Sequence, residues 1–435
     1  MNHRDPRRQS PHRPAGRCLA GVVARLLAGV AVLLVAACGG EDEDRRIELR
    51  WGLWGTPEAV QNQRRFARDF MRLHPNVRVE IEPVAGDVTV AFSMRLAGGD
   101  APDVLYAGNW FLFEFADKGT LLPLDDLIAR DGIDMGQFFD SALSGIQWDG
   151  ATYALPEAIN VEMLFYNQDI FDRYGVPYPE PGWTWDDYLE KARRLTQDTD
   201  GDGRTDIWGC YVWTWIPGFL PFMLQNESNM FDDDFRRFTM DDPRAIEALQ
   251  FIQDLIFRYR VAPGRQALQS QLSIDMFASG RIAMGSFGYW GVRELQGAPF
   301  RWDVAELPRR RTTGNVVHVH SFAINRETEH PEEAWELIKY LTLDEPAREV
   351  VYLIPAQKRI AAEMIRAGNE GMPANAEAIL ATATDPNTVS PPFGPRFGEY
   401  SSVLGLELDG VWLGKVSVEE AVRKAKPQIE LILSE

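Results

Sequence analysis

Residues 47–106 switch repeatedly between two hydrophobic periods, and that switching limits the fold more than any other feature of the chain. Ile47, Leu49, Trp51 and Leu53 recur at every second position, as in a strand with one buried face. Pro57 opens a stretch in which Ala59, Phe66, Phe70 and Leu73 share a helical face, and Pro75-Asn76 ends it. Val77, Val79 and Ile81 alternate with Arg78, Glu80 and Glu82 as a second strand. A further helical stretch reaches Gly98-Gly99, and Pro102-Asp103-Val104-Leu105-Tyr106 forms a short third strand. Strand–helix–strand–helix–strand implies a parallel sheet, because each crossover helix packs back on the sheet. Ligands gather at the carboxyl ends of such strands. Trp54-Gly55-Thr56 and Gly108-Asn109-Trp110 occupy those ends and are the first candidate binding segments.

The chain has 435 residues, enough for two or more domains at about 150 residues each. Its net charge of −19, with no Lys/Arg block beyond the first residues, excludes a nucleic-acid surface. Arg4, Arg7, Arg8, Arg13 and Arg17 precede an apolar run at 26–37 that is short for a membrane span. The run ends Leu34-Val35-Ala36-Ala37-Cys38-Gly39, which resembles a bacterial lipobox. Residues 1–37 therefore read as a lipoprotein signal peptide, Cys38 as the lipidated residue and 38–46 as a tether. A plain signal peptide cleaved at Ala37 is the alternative. Removal of the signal takes away six Arg and one Asp and leaves a charge of −24. Of the three cysteines only Cys210 then remains for the body, so no internal disulfide is expected.

Further along, Pro156 favours extended backbone, 161–166 is a mostly apolar strand, and Thr184 with Asp187 makes a capping box. Helices are expected at 243–260 and 331–343, a helix running into a strand at 275–290, and a strand at 316–325. Pro346 begins another helix. The last ninety residues read as mostly helical, broken by Pro391-Pro392-Phe393-Gly394-Pro395.

Several short segments recur in a telling order: Trp54-Gly55, Pro102-Asp103-Val104, Leu121-Leu122-Pro123-Leu124, Tyr153-Ala154-Leu155-Pro156, Tyr166-Asn167, Thr184-Trp185, Asp200-Gly201-Asp202-Gly203, Gly280-Arg281-Ile282-Ala283-Met284, Ala334-Trp335 and Ile354-Pro355-Ala356. Together they resemble the bacterial extracellular solute-binding proteins that serve ABC sugar importers. The resemblance implies an α/β, two-lobed periplasmic-binding-protein fold of type II-like topology, each lobe a parallel-rich sheet flanked by helices. It places the N-lobe at 47–157 plus 300–345 and the C-lobe at 158–298 plus 346–435. Crossings would fall near 156–161, 300 and 343–346. It implies a monosaccharide or oligosaccharide held in the cleft, delivery to the transmembrane subunits of a permease, and no catalysis. The chain would be a monomer, exported and lipid-anchored on the outer face of the cytoplasmic membrane, or periplasmic.

A sugar presents C–H patches that aromatic rings cover and hydroxyls that planar polar groups bond in pairs. All 13 Trp lie beyond residue 50. Trp54 and Trp110 end strands, Trp213 and Trp215 alternate on one face, and Tyr289 and Trp290 belong to a segment resembling a family stacking loop. Trp183, Trp185, Trp208 and Trp335 read as packing. Thr56, Asn109, Glu157, Asn160 and His320 are polar candidates, with Asp87 weaker. Asn160 stands where a family member has a sugar-contacting carboxylate, so its cargo need not be shared. His318 and His320 share a strand face, but no third metal ligand is evident. Asp198, Asp200, Asp202 and Asp206 match the first half of a calcium loop, whose twelfth position is Gly209 rather than Glu. No cofactor is required, and a structural calcium competes with a solvated acidic turn. A secreted glycoside hydrolase and a sensor for a membrane kinase are the alternative functions.

Overall fold

The computed structural model describes residues 46–232, 235–268, 273–350, 353–368 and 372–434. The expected signal peptide and Cys38 lie outside them. Among the described residues no helix is long and apolar enough to cross a membrane. The opening pattern forms β1 (Ile47–Leu53), α1 (Pro57–Leu73), β2 (Val77–Pro83), α2 (Val88–Ala97) and β3 (Val104–Gly108), with α3 (Asn109–Asp117) directly after β3. A hairpin of β4 (Gln147–Trp148) and β5 (Ala151–Thr152) leads into β6 (Ala154–Asn167), whose fourteen residues are all buried. The remaining strands are β7 (Met284–Gly288), β8 (Trp302–Ala305), β9 (Asn315–Ile324), β10 (Ile354–Pro355) and β11 (Thr388–Val389).

β1 pairs in parallel with β2 and with β3, as the crossovers require. β9 then inserts antiparallel between β3 and β6. β6 changes partners along its length. Residues 154–161 pair with β9, whereas 162–166 pair with β7 and 164–167 with β8. One strand thus runs from the first lobe into the second.

The α/β two-lobed reading holds; in the second lobe Trp208 and Tyr211 bridge in parallel to Ile282 and Gly285, while β7 and β8 both run against β6. The direction has a simple cause. β6 enters the second lobe from the cleft, so strands that bring their carboxyl ends back to the cleft must oppose it. Residues 302–305 were expected in the first lobe, yet β8 pairs with the second-lobe half of β6. The chain therefore returns after them rather than near residue 300. β10, expected in the second lobe, pairs with Ala158 and Ile159 at the crossing itself.

Among the described residues three apolar clusters form the core. Trp51, Phe70 and Trp335 centre the first lobe, and Trp185, Tyr188 and Trp412 the second. A third cluster, with Phe111, Phe138, Phe165 and Phe287, runs beneath β6 and β9 through both lobes. The free thiol of Cys210 is buried in the second lobe.

Phe165 is fully buried on β6, with Phe287 and Trp302 each 5.8 Å away ring to ring. Phe165→Ala is expected to lower stability by about 3–5 kcal/mol, read from urea unfolding midpoints.

Candidate functional site

The carboxyl ends of β1 and β3 bring Trp54 and Trp110 within 5.4 Å of each other. Trp54 Nε1 donates to the Tyr106 carbonyl at 3.0 Å, which fixes the indole. The His320 ring lies 5.5 Å from both tryptophans, and His318 lies 6.2 Å from Trp110 and 5.8 Å from Phe393. His318 sits opposite Asn160 and His320 opposite Ala158 across the β9–β6 ladder, so these side chains share one face. Enclosure by the aromatic rings pushes His318 down to about 4 and His320 to about 3. Both are therefore neutral near pH 7, each offering one donor and one acceptor. The Tyr106 hydroxyl lies 3.4 Å from His320 Nδ1.

The second lobe answers with Trp213, Trp215 and Trp290, which are 41%, 36% and 38% exposed. Among the described residues no other tryptophan is as open. Trp290 follows β7, and its amide donates to Asn160 Oδ1 at 3.4 Å. Trp215 caps the helix Ile216–Gln225 and its ring rests against Gly405. Residues 212–214 form no strand, so the expected alternation of Trp213 and Trp215 does not place them.

The lobes meet on both sides of these strand ends. Arg293 Nη2 reaches Glu58 Oε2 at 2.6 Å on the α1 side. Trp148 meets Phe235 at 5.9 Å on the α3 side. The helices cover opposite faces of the first-lobe sheet, α1 through Phe66 and Phe70 and α3 through Phe111 and Phe115. An aromatic cleft floored by neutral polar groups therefore lies between two interlobe contacts.

Residues 56–348 match the family model described as bacterial extracellular solute-binding protein. The chain belongs to that family. A protein of Brucella abortus described only as a binding protein is 23% identical over 428 residues, 94% of this chain and 98% of its own. The maltotriose-binding protein of Pyrococcus abyssi is 27% identical over 297 residues, 66% of this chain and 60% of its own. A solved ABC substrate-binding protein of Listeria monocytogenes, in complex with cycloalternan, superposes with a TM-score of 0.79 at 25% identity, covering 89% of this chain and 99% of that one.

In this solute-binding protein five candidate contacts have partners within the protein itself. Thr56 caps α1, its hydroxyl accepting from Ala59 N at 3.2 Å. Asp87 likewise caps α2 through the amides of Thr89 and Val90. Asn109 is fully buried and straps β3 to β9, donating to Val317 O and Ser390 Oγ and accepting from Val319 N. Tyr289 is buried in the shared cluster, its hydroxyl 3.7 Å from Met372 Sδ, because adjacent residues point apart and Trp290 takes the open side. Glu157 falls at a bulge between Pro156 and Ala158 that breaks the alternation of β6. It accepts from Gln63 Nε2 at 3.2 Å and lines a small cavity of about 60 Å³ with Tyr106 and Pro346, beside the hinge. A larger hollow of about 760 Å³, lined by Asp69, Arg72, Tyr340 and Arg348, lies at the far end of α1. At 1.5 Å per residue, that end is about 24 Å from the cleft edge, so the hollow is no part of this site.

Glu162 is the functional candidate that sequence reasoning missed. It lies two residues beyond Asn160 on β6, is 2% exposed, and is held at up to about 8 by burial, which the Ser286 hydroxyl at 3.4 Å only partly offsets. The resemblance that singled out Asn160 did not extend to it, although the two-residue strand period places both on one face.

At the acidic loop, Asp198, Asp200 and Asp206 bring carboxylate oxygens within 4.8 Å of one another, and Asp202 stands outside that group. Backbone amides of Gly201 and Gly203 donate to Asp198, and Thr199 to Asp206, which organises the turn by itself.

Two measurements follow. Thermal melting in calcium against chelator tests the loop: a rise with calcium that Asp198→Asn abolishes supports a metal, and equal melting removes it. Glu162 is raised in the folded state, so its contribution to stability is complete below about pH 4.5 and is lost as pH rises through about 8. Wild type is expected to lose stability relative to Glu162→Gln between pH 5 and pH 8, by a few kcal/mol at about 1.4 kcal/mol per pH unit, in urea midpoints at both pH values.

Proposed function

We propose that this protein captures an uncharged monosaccharide or oligosaccharide between its lobes and hands it to the transmembrane subunits of an ABC importer. It would act as a monomer, exported and tethered through a lipid on Cys38. The observation that carries the reading is the pairing of aromatic walls across a neutral floor. Trp54 and Trp110 pack with His318 and His320 on the first-lobe side, Trp290 stands beside Asn160 on the second-lobe side, and Trp213 and Trp215 add exposed rings to the second lobe. Rings on two sides suit the C–H faces of a pyranose, and neutral donors and acceptors suit its hydroxyls. The maltotriose-binding relative and the cycloalternan complex support a carbohydrate cargo.

Capture requires that ligand favour the closed lobes. Moving from about 1% to about 99% closed takes roughly 5.5 kcal/mol of differential affinity, which a ligand bonded to both lobes can supply. The two buried acids of β6 favour binding over hydrolysis. A glycosidase needs two carboxyl groups facing one bond, whereas Glu157 faces the hinge cavity and Glu162 the face shared with Asn160.

A thermal-shift panel of maltotriose, cycloalternan and common monosaccharides tests the reading, because a ligand that binds the folded form raises Tm. A rise with at least one sugar, reduced about tenfold in affinity by Trp290→Ala, is expected, at roughly 0.5–1.5 kcal/mol per stacking ring. Sugar turnover would instead show an enzyme. Loss of the protein from the membrane fraction in Cys38→Ala cells tests the lipid tether.

A further inference from the structure

The β6 face that holds Asn160 continues through Glu162 before it enters the second-lobe core at Leu164 and Tyr166. Glu162 thus stands where the cleft gives way to the core. Its cross-strand neighbour is Gly288. A Cβ on Gly288 would lie 2.5 Å from Asn160 Nδ2 and 2.6 Å from Trp290 Cδ1. The amide and the indole therefore close directly over this pair of strands, and only a glycine allows them to.

The groups around Glu162 are neutral. Ser286 on β7 is its hydrogen-bond partner at 3.4 Å. On β9, Asn315 donates to the Glu162 backbone carbonyl at 2.7 Å, Val316 is apolar, and His318 is held neutral. Tyr211, beside β7, is also held in its neutral form by burial. Among the described residues no cation pairs with the Glu162 carboxyl. A neutral acid is tolerated in such a place, whereas a carboxylate there would be a buried charge without a counter-ion.

We propose that Glu162 is a positioning residue for capture: as a neutral acid it keeps closed the floor on which Asn160 and Trp290 meet an uncharged sugar, and as a carboxylate it draws water into that floor and weakens binding. The inference rests on the sugar-capturing reading above. Sugar binding then fades in alkaline solution although no ligand group titrates. The same floor disfavours anionic cargo, which would meet no cation there. An amino sugar would behave oppositely, since its ammonium group would favour the carboxylate.

The test is the affinity of the mature protein for maltotriose and for cycloalternan from pH 6 to pH 9.5, read by tryptophan fluorescence. Wild type, Glu162→Gln and Trp290→Ala are compared, with circular dichroism at each pH. Wild type is expected to lose affinity at least about fivefold between pH 7 and pH 9.5, as a group titrating near 8 becomes almost fully ionised. Glu162→Gln mimics the neutral acid, so it is expected to keep the pH 7 affinity and to show a flat profile. A flat wild-type profile overturns the proposal without any variant and leaves capture standing. A Glu162→Gln profile parallel to wild type does the same. A Glu162→Gln loss beyond about tenfold at pH 7, or about 1.4 kcal/mol, also overturns it, because the charge itself would then be needed. If neither these sugars nor any monosaccharide of the thermal-shift panel binds wild type at any pH, the sugar reading fails and this inference with it.

Discussion

Strand β6 is hydrogen-bonded to β9 over its first half and to β7 and β8 over its second, and this exchange of partners carries one buried strand from lobe to lobe. All of its backbone groups need partners, since a buried amide or carbonyl left alone is costly. The exchange happens at residues 161–162, next to Asn160, so the cleft floor lies where the hydrogen-bonding neighbours change. The bulge at Glu157 precedes it and turns one carboxylate towards the hinge. Both lobes therefore share a rigid base while their loops, with Trp54, Trp110 and Trp290, face one another across it.

Desolvation gives that base its character. The chain carries a net charge of −19, yet the titratable groups at the cleft floor are held neutral. Burial pushes His318 and His320 down and Glu162 up, with His318 adding to the shift of His320. The charged pairs lie at the periphery, as Arg293 with Glu58 does, where solvent screening leaves each worth little alone. Such a surface offers neutral donors and acceptors rather than charge.

The elements with strong periodicity were legible. The alternating strand at Ile47 and the helix at 331–343 occur where the pattern puts them. Trp54, Trp110 and His320 meet at the strand ends, because the carboxyl-end rule and the two-residue period are local properties, and Asn160 and Trp290, read from the resemblance, lie beside one another on β6 and after β7. Glu157 was misread because one extra residue in a strand inverts its facing, and no composition signal announces a bulge. Asn109 and Thr56 were misread because a polar side chain at a strand end serves the backbone as readily as a ligand. Glu162 was passed over because an isolated Glu ordinarily reads as surface, and only packing reveals that nothing charged answers it.

The sequence by itself determined the α/β class, the order of the first five elements and the family, since each depends on local period or on short motifs in a fixed order. Only the tertiary structure decided that β7 and β8 oppose β6, that residues 302–305 belong with the second lobe, and which of two acids on one strand borders the cleft. Those are questions of pairing and of facing between segments more than a hundred residues apart. Periodicity along the chain carries no information about them, because strand partners are chosen by the burial that the whole fold makes available.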